Sequence, residues 1–141
     1  MKYRRRRKPE ESIVTRGDDL CLKAGCTSIH FSQARETNQT PGIPDRLYFH
    51  VGTGLAFWWE AKAPDGIQLW EQQVFQVASE QCHQHYVLGG FRELFDFVHQ
   101  HGLWKLPVGY TVEMFSGPLW GVRRETAEQY QKRIQRAKAR R

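Results

Sequence analysis

Two short strand-like runs constrain this chain most: 46–51 (RLYFHV) and 55–63 (LAFWWEAKA), separated by Gly52-Thr53-Gly54. Both are rich in aromatic and aliphatic residues, and the glycines supply the backbone freedom that a tight reversal needs. The pattern predicts an antiparallel hairpin. With a two-residue loop at Gly52-Thr53, Val51 pairs with Gly54, and Asp45 then stands directly across from Glu60. Their Cβ atoms would lie about 5 Å apart. Lys62 shares that face, because strand side chains alternate. A three-residue loop would shift the register and undo the arrangement.

Two carboxylates that close repel each other, so a shared proton or a bound cation must compensate. Mg²⁺ takes one or two carboxylates and fills its remaining positions with water and phosphate oxygens. Such an ion polarises a phosphoryl group. Lys62 beside it could orient an attacking water or neutralise charge growing on the phosphate. Read alone, Glu60-Ala61-Lys62 is an ordinary surface ion pair on a strand.

The rest of the chain supplies a frame for this patch. Pro9 suits the first position of a helix, with Glu10 and Glu11 in its first turn. Ile13, Val14, Leu20, Cys21 and Ala24 share one face of that helix, and Gly25 suits its end. A short strand at 28–31 and a polar loop at 32–44 precede the hairpin. Pro64-Asp65-Gly66 reads as a turn. A helix over 69–83, a strand over 85–88 and a helix over 91–101 follow. The order is α-β-β-β-α-β-α, an α/β fold with a small mixed sheet flanked by helices. Residues 1–8 read as a basic disordered arm, 9–102 as the core domain, and 103–141 as an aromatic and basic extension. Within it, 103–121 is irregular or β-rich and 123–140 a basic helix with a thin stripe at Ala127, Tyr130, Ile134 and Ala137.

The net charge of +6 is segregated along the chain. Residues 2–8 carry six basic residues and 123–141 carry eight, leaving seven basic against thirteen acidic residues in 9–122. Basic ends attract polyanions and release their counterions. Arg4, Arg5, Arg6, Arg7, Arg46, Arg133 and Arg136 are therefore the candidate nucleic-acid contacts. Such contacts position a protein without reading sequence, so recognition of DNA by shape is expected. Solvated tails that only maintain solubility are the plainer reading of the same charges.

No apolar run is long enough to span a bilayer, and no apolar segment follows the N-terminal charges as a secretory signal requires. Three cysteines, an odd number, argue for a reducing cytoplasm rather than a disulfide framework. Zinc on Cys21, Cys26 and His30 is not expected, since C-x4-C-x3-H matches no standard spacing. His30, His50, His83, His85, His99 and His101 match no metal or catalytic spacing either.

Gly42-Ile43-Pro44-Asp45 followed by Glu60-Ala61-Lys62 resembles the PD-(D/E)xK nuclease superfamily. The stretch PDGIQLWEQQVF after the lysine is similar to VRR-NUC domains, in which a glutamine opens the next helix and an aromatic residue follows three later. Gln72 and Phe75 match that pattern, although helix phase does not decide between Gln72 and its neighbour Gln73. The resemblance covers about residues 10–100. It implies a restriction-endonuclease-like core. Asp45, Glu60 and the Ala61 carbonyl would bind Mg²⁺ or Mn²⁺, Lys62 would assist the nucleophile, and Gln72 would support the site.

A glutamate of the first helix often completes such a site. Phase favours Glu10, near the centre of the apolar stripe, over Glu11, about 100° away. Both residues also suit a helix N-terminus for electrostatic reasons alone. The resemblance further suggests a homodimer acting on four-way DNA junctions, with flap or general DNA nucleases as the alternative. A non-catalytic nucleic-acid-binding module would use the same basic and aromatic residues. A partner-binding domain built on 104–120 would explain the aromatics of that segment. Two departures stand out: Trp58-Trp59 where smaller β-branched residues are common, and the long C-terminal extension. One tryptophan is expected to face the core and the other the opposite sheet face.

Overall fold

The computed structural model describes residues 9–31, 41–106, 108–116 and 121–141. The basic arm 1–8, with Arg4, Arg5, Arg6 and Arg7, and most of the 32–44 loop lie outside the described residues.

Helix α1 spans Pro9–Lys23 and stops at Gly25, whose φ of 87° is a left-handed helix end. Strand β1 (Cys26–His30) pairs antiparallel with β2 (Arg46–His50), and β2 with β3 (Leu55–Ala61). Then come β4 (Ile67–Gln68), α2 (Trp70–Gln81), β5 (His85–Gly89) and α3 (Phe91–Gln100). Strand β5 runs parallel to β3 and completes a mixed sheet of order β1-β2-β3-β5. The fold is mixed α/β, a small mixed sheet flanked by helices. No helix of the described residues is long and apolar enough to cross a membrane.

The hairpin register matches the expectation: Arg46 faces Trp59, Leu47 faces Trp58 and His50 faces Leu55. The loop itself differs. It has four residues, Val51 to Gly54, closed by Gly54 N–H on the His50 carbonyl at 2.8 Å. Four residues between His50 and Leu55 preserve the pairing that two residues between Val51 and Gly54 would give. His50 secures the reversal by accepting the Thr53 N–H at Nδ1 and donating from Nε2 to the Ala24 carbonyl.

Strand alternation sorts the two tryptophans. Tyr48, Phe57 and Trp59 turn towards α1 and α3 and are fully buried. The Trp59 ring lies against Gly17, where any Cβ would overlap its edge, so α1 is notched to receive a residue of this size. On the other face, Trp58 packs edge-on to Phe75 of α2 at 4.9 Å. Leu94, Phe95 and Val98 of α3 close the core.

The extension folds back onto this body. Leu103 is buried with the core, and Trp104 meets Phe95 edge-on at 5.9 Å. Among the described residues of 103–121 the chain is irregular, as expected, apart from one short helix, α4 (Val112–Ser116). Trp104 thus packs within the molecule, while Trp120, also invoked for partner binding, lies outside the described residues. Strand β6 (Arg123–Arg124) pairs parallel with β4 in a second small sheet that the sequence reading missed. Helix α5 (Ala127–Ala139) follows, capped by Thr126, whose side chain accepts the Gln129 N–H at 3.1 Å.

Candidate metal centre and its surroundings

Asp45 sits one residue before β2, just beyond the last hairpin pair. Its Oδ2 accepts the Ala61 N–H at 3.0 Å, which fastens it beside Glu60 on β3. Gly42 explains the approach to this point. At φ 88° it lies so close to the Glu71 carbonyl that no side chain fits there. The loop before Asp45 is therefore pressed against the first turn of α2, with Pro44 fully buried.

Glu10 joins the pair from α1. One ligand atom from each of Glu10, Asp45 and Glu60 lies within 4.8 Å of the others. Among the described residues this is the group of His, Cys, Asp or Glu side chains close enough to share an ion; Cys21, Cys26 and His30 form no such group. The Cys21 thiol is instead raised well above the ordinary thiol range by its hydrogen bond with Cys26 and by burial. Of the two glutamates weighed for α1, Glu10 is the one brought to the cluster. A cleft of about 510 Å³ opens beside it, lined by Glu10, Glu11, Val14, Phe31, Asp45 and Arg46 among others.

Glu60 is 2 % exposed. Its Oε1 accepts from Gln72 Nε2 at 2.9 Å and lies 3.4 Å from Lys62 Nζ. Its Oε2 is buried and makes no hydrogen bond among the described residues. Burial, then the neighbouring Asp45 carboxylate, pushes Glu60 up to about 8. Burial also raises Asp45, against the opposing pull of the Ala61 N–H and Lys62. An orphaned buried carboxylate oxygen within a group of three acids is a donor set that fits a hard divalent cation.

Gln72 and Gln73 separate cleanly. Gln72 turns to Glu60, while Gln73 donates to the carbonyls of Gln68 and Glu125, fastening the extension. Arg46 and Arg133, expected to contact phosphate, are both engaged with carboxylates. Arg46 donates to Asp18 at 3.0 Å and to the Asp45 carbonyl at 2.9 Å. It thereby ties α1 to the start of β2. Asp18 also accepts from Tyr48 Oη at 2.6 Å. Arg133 bridges Glu125 at 2.9 Å and Glu71 at 2.6 Å. Arg136 stays exposed on α5. The roles of Asp18 and Glu125 are not legible in the sequence, because nothing local announces partners 28 and 8 residues away.

Comparison with family models, with curated proteins and with solved structures finds no match.

Proposed function

We propose that this chain is a divalent-metal-dependent endonuclease that hydrolyses phosphodiester bonds of DNA. The observation that carries the reading is the meeting of Glu10, Asp45 and Glu60 beside Lys62, with one Glu60 oxygen buried and unpartnered. The resemblance of Asp45, Glu60, Lys62 and Gln72 to the VRR-NUC branch of the PD-(D/E)xK nucleases supports the same reading, and with it a restriction-endonuclease-like core.

Glu10, Asp45 and Glu60, with the Ala61 carbonyl, would hold Mg²⁺ or Mn²⁺. The ion supplies Lewis-acid polarisation of a phosphoryl oxygen. Gln72 fixes the rotamer of Glu60. Lys62, only 8 % exposed, holds its ammonium 3.4 Å from Glu60 Oε1. There it orients a water for in-line attack and offsets negative charge on the phosphate. The water oxygen bonds to phosphorus and gives up a proton to solvent, the bond to the leaving sugar oxygen breaks, and that oxygen takes a proton back from solvent, so that none is gained or lost overall.

Within this reading, branched DNA is the favoured substrate and a homodimer the favoured assembly, two sites cutting two strands of a four-way junction. A flap or general DNA nuclease is the second reading. The test is incubation with a labelled immobile junction, a flap and a linear duplex, each with Mg²⁺, Mn²⁺ or EDTA. Paired symmetric nicks on the junction support the resolvase. A single cut at the flap branch point supports the alternative. Binding of all three substrates without cutting by either metal replaces the enzyme with a nucleic-acid-binding module.

A further inference from the structure

Helix α5 does not hang free as a basic tail. Three ties hold it to the body: the β4–β6 pairing, the Gln73 bond to the Glu125 carbonyl, and Arg133 clamped between Glu125 and Glu71. Glu125 also accepts the Trp70 N–H at 3.0 Å, and Trp70 stacks on Tyr130 at 6.0 Å. Glu71 precedes Gln72, the residue that holds Glu60. The extension is therefore attached to the same turn of α2 that orients the carboxylate cluster.

Between α5 and β4 lies an open cleft of about 520 Å³. Its lining includes the apolar Ile67, Leu69 and Ala137 and the basic Lys132, Arg136 and Arg140. Lys132 is paired with Glu128, but among the described residues no carboxylate pairs with Arg136 or Arg140. Arg136 and Arg140 lie four residues apart, a rise of about 6 Å along a helix. That spacing is comparable to the step between successive phosphates of an extended strand. Arg133 offsets Glu125, the one acid among the lining residues, and so leaves the cleft with a surplus of positive charge from Arg136 and Arg140.

We propose that this cleft is a second nucleic-acid site, in which Arg136 and Arg140 grip successive phosphates of a DNA strand while its sugars and bases rest on Ile67 and Leu69. Arg133 is its positioning residue rather than a phosphate contact. Because the cleft is tied to α2, it holds the strand at a fixed place relative to the carboxylates. The inference rests on the nuclease reading only for the choice of nucleic acid as ligand.

The experiment measures binding of a labelled single strand and a labelled duplex by anisotropy across a salt series. It is run in EDTA, so the result is independent of whether the protein cuts. Arg136→Ala/Arg140→Ala is compared with Lys138→Ala/Arg141→Ala, which removes the same charge from the same segment away from the cleft. The expected result is roughly tenfold or greater weakening for the cleft pair, with the log–log salt slope reduced by about 1.4–1.8. The control pair should shift affinity less than about twofold. Equal weakening by both pairs, no weakening by the cleft pair, or displacement by poly-glutamate as effective as by unlabelled DNA would each overturn the proposal.

Discussion

Gln72 donates its Nε2 to Glu60 Oε1 at 2.9 Å while its own Oε1 accepts the Leu69 N–H at 2.8 Å. The backbone donor fixes which way the amide points, since a flipped amide would set donor against donor. The first turn of α2 thus orients the most buried carboxylate of the cluster. Gln72→Ala is expected to raise the Mn²⁺ concentration needed for half-maximal cutting about 10–100-fold, as loss of outer-shell support does at metal sites. Cutting rate against Mn²⁺ concentration measures this, and an unchanged requirement would detach Gln72 from the site.

The buried Glu60 makes stability depend on pH in the direction opposite to most carboxylates. Its pKa rises from 4.5 to about 8 on folding. The folded state therefore binds more protons than the unfolded state between those values. Metal-free protein should be most stable below about 4.5 with respect to this group, and lose that contribution as pH rises through about 8. Melting curves in EDTA should show the decline. Glu60→Gln should flatten it and melt higher than wild type at pH 8, and Mn²⁺ should restore wild type at that pH.

Gly17→Ala should destabilise the protein although it improves helix propensity by about 1 kcal/mol. The added methyl would overlap the Trp59 ring and crowd Leu94. Overpacking of this kind costs about 1–3 kcal/mol, so the net change should be unfavourable. Urea denaturation reads it directly. A more stable variant would show that the fit of Gly17 to Trp59 is looser than described.

Arg133→Ala should loosen α5 without disturbing the main sheet. Glu125 is 8 % exposed and would lose its guanidinium partner, at a cost on the order of 1–3 kcal/mol. Hydrogen exchange should speed up across Ala127–Ala139 while β3 keeps its protection. Arg133→Lys should not rescue it, because one ammonium cannot span Glu71 and Glu125 as the fork does. Unchanged exchange in α5 would remove Arg133 as its anchor.

Much of this architecture is legible in the sequence because periodicity and turn chemistry are local. The hairpin, the Gly25 helix end, the opposite fates of Trp58 and Trp59, and the basic helix all follow from spacing. The nearness of Asp45 to Glu60 follows too, since the four-residue loop gives the same register as the two-residue one. What stays hidden is long-range. A two-residue ladder such as β4–β6 has no period to detect. Arginines that read as free charges, Arg46 and Arg133, find acids placed by tertiary folding. Gln72 and Gln73 are separable only once α2 is docked.

If one carboxylate cluster binds a divalent cation and cuts DNA with Lys62, ion binding and cutting must separate in a defined way between variants. Mn²⁺ binding and DNA cutting are measured on the same preparations of wild type, Asp45→Ala and Lys62→Ala. Wild type should bind Mn²⁺ and cut, Asp45→Ala should lose both, and Lys62→Ala should keep the ion but cut at least about a hundredfold more slowly. Wild type that binds no Mn²⁺, cutting that persists in EDTA, or Lys62→Ala cutting at the wild-type rate would contradict it.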